Sequence, residues 1–209
     1  MELNDPKYKV LYAYTKALAV ALGYRDPLTR LHSERVRDLC EAIGIRFGLG
    51  NSELEALKIA ASFHDIGKIG IPDHILLKPS AFNQDEWEVM KKHAEIGADI
   101  IAATDIEGAQ QASVVIRHHH EHFDGSGYPD GLRGDRIPVC ARIISIADSY
   151  DAMAVTRTYH DAKTHPEVMA IMQQETGKKH DPELMQIFCA IIDSDEFKNE
   201  RANQRNAPT

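Results

Sequence analysis

The amino-acid sequence predicts an all-α fold, built as a single compact helical domain. Apolar residues recur at three- and four-residue spacing through most of the chain. No segment sustains the period-two alternation of a half-buried strand. Helix-starting signals punctuate the pattern: Ser52-x-x-Glu55, Asn83-x-x-Glu86 and Thr164-x-x-Glu167 read as capping boxes, and Asp181-Pro182 as an N-cap followed by a first-turn proline. At 209 residues the chain suffices for one good-sized core and is short for two domains.

Taken in order, residues 5–22 carry Tyr8, Leu11, Tyr14, Thr15, Leu18, Ala21 and Leu22 at helical spacing. A core helix of the same domain fits this pattern better than a separate dimerisation stalk. Gly23 to Pro27 breaks it. A second helix is expected from about Thr29 to Phe47, with Leu31, Val36, Leu39, Ile43 and Phe47 inward, ended by Gly48 and Gly50. The third starts at Ser52 and puts Leu57, Ala60, Ala61 and His64 on one buried stripe. Loops follow at Gly70–Asp73 and Lys78–Ser80. The helix opened by Asn83 is expected to run through a stripe of Trp87, Met90, Ala94, Gly97 and Ile101, with His93 at its edge. Another, from about Ile106 to His120, carries Ala112, Val115, Ile116 and His119. A glycine-rich loop, Phe123–Gly131, precedes a helix from Pro138 to about Met153, and two capped helices complete the domain. The division expected is residues 1–25 as an N-terminal packing or connecting helix, 26–197 as the main domain, and 198–209 as a polar tail.

Composition narrows the function. A formal net charge of -8 argues against duplex nucleic acid as a partner, since that needs a basic face, but leaves room for a small phosphorylated ligand. No apolar run reaches membrane-spanning length, so no membrane partner is expected. Cys40, Cys140 and Cys189 form no CxxC, which suits a reducing compartment, and Met1–Asp5 has no signal-peptide character. The expected location is cytoplasmic.

Histidine is the outlier, with 11 copies. His64-Asp65 sits at the end of a buried helical stripe, where an ionised carboxylate beside an imidazole is costly unless something positive holds both. A divalent metal does so, and a hydrogen-bonded His-Asp pair is the alternative. His32, His93, the run His118-His119-His120-Glu121, and Asp148 in the apolar stretch Ile143–Ala147 pose the same question. Each has a bland reading: a half-buried surface histidine, a core-edge histidine, a solvated helix end, an Asp148 ion pair with Arg142 or Arg157. Helices are a natural scaffold for bringing such groups together from distant parts of a chain.

His64-Asp65 with Gly67-Lys68, then His119-His120-Glu121, then Asp124-Gly125-x-Gly127-Tyr128-Pro129, resemble the signature of the HD-GYP family, a branch of the HD superfamily of metal-dependent phosphohydrolases. Asp26-x-x-Thr29-x-x-His32, Lys78-Pro79, Lys91-Lys92-His93 with Gly97, Ala141-Arg142-Ile143 leading to Asp148, and Arg157-x-Tyr159 extend the match. The resemblance implies a cyclic di-GMP phosphodiesterase that yields the linear dinucleotide and often GMP. It implies metal ligands His32, His64, Asp65, His93, His119, His120 and Asp148, with Asp65 bridging. His118 is then the extra histidine of its run.

Two cations about 4 Å apart can acidify a bridging water into a hydroxide at neutral pH, which attacks phosphorus. Asp65 and Lys68 carry the catalysis in this reading, Lys68 as an electrostatic clamp, not a base. Gly127, Tyr128, Arg157 and His160, with Lys68, are the expected substrate contacts. Leu28 stands where some relatives carry a glutamate ligand for a third metal, so two ions are expected: iron or manganese first, with zinc, cobalt or nickel behind them. His122 and His160 stand where relatives often carry basic residues, which weakens the expected phosphate grip. No sensory or receiver domain is visible, so a homodimer or an upstream sensory or receiver partner is the expected assembly. The competing functions are a non-catalytic cyclic-dinucleotide sensor and a hydrolase for another phosphoester, such as cyclic GMP-AMP or a nucleotide.

Overall fold

A computed structural model describes residues 6–154 and 163–193, with the backbone alone of 27–30. Among these residues the regular structure is helical, apart from one bridge joining Thr176 to His180. The helices are α1 (Pro6–Arg25), α2 (Pro27–Phe47), α3 (Asn51–Phe63), the single turn α4 (Asp73–Leu76), α5 (Gln84–Lys91), α6 (His93–Ala102), α7 (Ala109–Arg117), α8 (Val139–Ala154), α9 (His165–Glu175) and α10 (Pro182–Ile192). A tight 3-10 turn, Ile66–Gly70, follows α3.

One main core runs through α1, α2, α3, α6, α7, α8, α9 and α10. Its fully buried side chains include Leu11, Leu22, Ile43, Leu57, Ile59, Ile116 and Phe188. α2 lies against both α3 and α8, and α6 lies against α7 and the 3-10 turn. These two sets of contacts face a common interior, and the histidines enter it from both sides. α1 joins the core through Tyr8, Leu11, Thr15 and Leu22. Tyr8 donates from its hydroxyl to Gln111 Oε1 at 2.6 Å, and Arg25 bonds the Ile71 carbonyl at 2.9 Å.

Several helices differ from expectation, each for a physical reason. The helix opened by Asn83 breaks at Lys92 (ψ -15°), and α6 starts afresh at His93. The break turns α5 away from the main core. Met90 packs in a small separate cluster with Ile71 and Ile75, and Trp87 is left 41% exposed instead of on the core stripe. Leu31 points outward at 56% exposure, because the inward position beside it is taken by His32. α3 is capped at Gly50, whose N–H donates to the Glu53 carboxylate, so Ser52 lies inside the helix. α7 ends at Arg117, and His118–His120 form a turn beyond it. Arg142 bonds Asp135 and Asp181 and does not pair with Asp148.

One close approach fixes the interior. A Cβ on Gly67 would sit 1.9 Å from the His93 carbonyl oxygen and 2.5 Å from the Gly97 nitrogen. Only glycine lets the 3-10 turn lie directly on the α6 backbone. That contact brings His64 and Asp65 next to His93.

Candidate metal centre

His32 projects from α2, His64 and Asp65 from the end of α3, His93 from the first residue of α6, His119 and His120 from the turn after α7, and Asp148 from α8. The structure brings all seven together. His32 Nε2 lies 3.0 Å from Asp148 Oδ1 and 4.0 Å from Asp65 Oδ2. His64 Nε2 lies 3.6 Å from Asp65 Oδ2, and His93 Nε2 lies 3.8 Å from Asp65 Oδ1. The two oxygens of Asp65 thus face two separate groups. One is His32, His64 and Asp148; the other is His93, His119 and His120, and each has its ligand atoms within 4.8 Å of one another.

The imidazoles are oriented by bonds on their far sides. His64 Nδ1 meets the Ala61 carbonyl at 2.8 Å, His93 Nδ1 the Met90 carbonyl at 2.8 Å, and His119 Nδ1 the Ile116 carbonyl at 2.6 Å. A carbonyl only accepts, so each Nδ1 carries the proton and each Nε2 presents a lone pair inward. His93 Nε2 lies 3.4 Å from His119 Nε2 and 3.2 Å from His120 Nε2. His64 Nε2 is fully buried and has no hydrogen-bond partner. Lone pairs packed against lone pairs, with a buried nitrogen left unsatisfied, are costly in a protein alone and natural around a cation. The donor set therefore fits divalent metal ions.

The electrostatics of the His93 group and of Asp65 agree. Burial first, then the neighbouring His64 and His93, push the His119 imidazole down to about 3. Burial likewise lowers His93 and His120, so the trio is neutral at ordinary pH. Burial opposes ionisation of Asp65, but Lys68, whose Nζ is 2.8 Å away, and the surrounding histidines outweigh it and hold the carboxyl well below its usual range. Burial also opposes the Lys68 charge, and Asp65 reverses that and raises it.

Two residues that sequence reasoning passed over support the site. Asp151 accepts from His32 Nδ1 at 2.8 Å and is gripped by Arg35 through bonds of 2.7 and 2.8 Å. Each stands three residues after a site residue, one helical turn along, and that offset was the available signal. His118 turns away from the cluster to Asp130, 2.9 Å from its Nε2.

The glycine-rich loop closes one side. A Cβ on Gly127 would lie 2.2 Å from the His122 nitrogen and 2.5 Å from the His120 carbonyl oxygen. This closeness lets the Tyr128 ring stack on His120, with centroids 4.9 Å apart. Glu121, 1% exposed, holds the loop by accepting from Asp130 N at 2.7 Å and Leu132 N at 3.0 Å. Arg157 and His160 lie outside the described residues.

Fold and site define a helical domain with paired histidine–carboxylate pockets about a shared aspartate. The HD domain profile matches residues 16–184. The cyclic di-GMP phosphodiesterase response regulator RpfG of Xanthomonas campestris is 39% identical over 79% of this chain and 44% of its own length. The 3'3'-cGAMP-specific phosphodiesterase 2 of Vibrio cholerae is 38% identical over 90% of this chain and 35% of its own. The chain thus spans less than half of either relative. Among solved structures, the cyclic GMP-AMP phosphodiesterase V-cGAP3 of Vibrio cholerae shares the fold, with TM-score 0.67 at 18% identity over 97% of this chain and 54% of that one. The chain belongs to the HD-domain family, in its HD-GYP branch. HD-domain phosphohydrolases are metal-dependent, and the His/Asp groups described above are of the kind that hold such ions.

Proposed function

We propose that this chain is a metal-dependent phosphodiesterase that hydrolyses the 3'-5' bonds of cyclic di-GMP to the linear dinucleotide and on to GMP. The observation that carries it is the pair of buried three-ligand groups, His32/His64/Asp148 and His93/His119/His120, with the two Asp65 oxygens facing one group each. A module that only bound the dinucleotide would have no use for so many coordinating groups. His32, His64 and Asp148 would hold one ion and His93, His119 and His120 a second, with Asp65 between them. We take these ions to be iron or manganese. When bound, such ions supply Lewis-acid stabilisation of phosphoryl charge and make water acidic enough to attack at neutral pH.

The chain's own groups do the rest. Asp151 and Arg35 hold the His32 ring in place. The Lys68 ammonium stays charged and stands beside Asp65, placed to neutralise charge growing on a phosphoryl oxygen. Burial pushes the Tyr128 phenol up, so it acts as a hydroxyl donor and a ring face, not a phenolate. Gly127 keeps the loop backbone low over His120. Arg157 and His160 are proposed to grip the second phosphate.

The similarity to cyclic GMP-AMP enzymes favours one second reading, hydrolysis of 3'3'-cyclic GMP-AMP. The protein purified without chelator is assayed for bound metal and incubated under reducing conditions with each dinucleotide. Linear product that disappears in Asp65→Ala supports the proposal. Turnover of cyclic GMP-AMP alone supports the second reading. Binding without turnover by metal-replete protein refutes both.

Among the described residues no helix is long and apolar enough to cross a membrane, and we take the site of action to be cytoplasmic. The outward side of α1 exposes Val10, Tyr14, Ala17, Ala21 and Tyr24 at alternating four- and three-residue spacing. This supports a helical partner there, either a second copy or an upstream sensory segment. Sedimentation of wild type against Tyr14→Glu reads which applies.

A further inference from the structure

Trp87 is the chain's one tryptophan, and it stands 41% exposed on α5. Its indole is not isolated. Phe82 lies alongside it, rings 6.3 Å apart and only 21° from parallel. Tyr128 also meets it, nearly perpendicular at 84° with centroids 6.1 Å apart. Tyr128 in turn stacks on His120 at 4.9 Å and 30°. Three rings therefore descend from solvent to the histidine cluster, Trp87, Tyr128 and His120, with half-buried Phe82 backing the first. Lys91 Nζ lies 5.7 Å from the Tyr128 centroid, adding a cation along the same path.

Exposing an indole forfeits the largest apolar burial any side chain offers. The break at Lys92 produces that exposure while keeping Trp87 against Tyr128. A cyclic dinucleotide needs this kind of surface, because its bases flank the phosphodiester and must leave water when the phosphate reaches the metal centre. Aromatic side chains take up unpaired bases by stacking.

We propose that Trp87 is a stacking platform for one purine base of the bound dinucleotide, the outer step of the ramp Trp87–Tyr128–His120; this rests on the phosphodiesterase reading above. Every base has a π-face, so the platform accepts guanine and adenine alike. It contributes affinity for cyclic dinucleotides as a class and leaves the choice between them to other contacts. Such binding is shared by ground and transition states and so appears in KM, not kcat.

The test uses Trp87→Ala and Trp87→Phe in the metal-loaded full chain, with cyclic di-GMP and cyclic GMP-AMP as substrates. Trp87→Ala is expected to raise KM about tenfold for both, with kcat within about twofold, and Trp87→Phe to recover most of the loss. In wild type freed of metal by chelation, titration with cyclic di-GMP is expected to quench the single indole saturably. Unchanged KM and unchanged emission overturn the platform and leave the phosphodiesterase standing. A fall in kcat at constant KM overturns it too. If the wild type turns over neither dinucleotide, the phosphodiesterase reading fails separately. The emission titration then decides alone: saturable quenching keeps the platform, and a flat titration overturns it.

Discussion

Removing the Glu121 carboxylate tests whether the loop carrying Tyr128 is held from inside the domain. In Glu121→Ala two charge-assisted hydrogen bonds vanish, from Asp130 N at 2.7 Å and Leu132 N at 3.0 Å. Bonds to charged groups contribute about 1.5–3 kcal/mol each. Asp130 is exposed and Leu132 half-buried, so water can reach the freed amides, and the low end applies to each. The expected cost is about 3 kcal/mol, or a fall of about 6–12 °C in Tm for a chain of this size. Arg117→Ala is the contrast. It breaks the bidentate Arg117–Asp130 pair on the same loop, but those side chains are 33% and 37% exposed, and the expected cost is below about 1 kcal/mol. Both are measured by urea and thermal unfolding of chelated protein, so that metal loss does not enter. A Glu121→Ala cost under about 1 kcal/mol, or one no greater than that of Arg117→Ala, would refute the reasoning.

Other outcomes follow from the same geometry. Gly67→Ala places a methyl group 1.9 Å from the His93 carbonyl, forces the 3-10 turn off α6, and is expected to cost about 3 kcal/mol, checked by unfolding and by metal content. His180 is fully buried, and burial first, then Lys179 and His122, push it down to about 3, so it folds neutral. Stability from that neutral ring is fully present above about pH 6.5 and falls toward pH 3, at up to about 1.4 kcal/mol per unit, because only the unfolded chain takes the proton in that window. His180→Phe is expected to flatten this slope in urea titrations run between pH 7 and 4. Adding manganese to chelated protein is expected to raise Tm, since the ion binds the folded chain alone, and His64→Ala to remove most of the rise in a thermal-shift assay.

Much of this protein was legible in the residues themselves. The period of the apolar positions determined that it is helical, because a buried face must recur once per turn. The side-chain chemistry of His64-Asp65, His119-His120 and Asp148 nominated the cluster, because charged and lone-pair groups do not enter apolar helices without a partner. Helix ends set by local bonds, such as Asn83 with Glu86, were readable for the same reason. What required the tertiary structure is whatever depends on how two elements meet. The contact of Gly67 with the α6 backbone explains a glycine that spacing alone leaves unaccounted for. The break at Lys92 exposes Trp87, which periodicity placed in the core, and the turn after α7 separates His118 from its neighbours. A repeating pattern records which face of a helix is apolar. It does not record where the helix stops to satisfy another, and His64, Asp65, His93, His119 and His120 all stand at such stops.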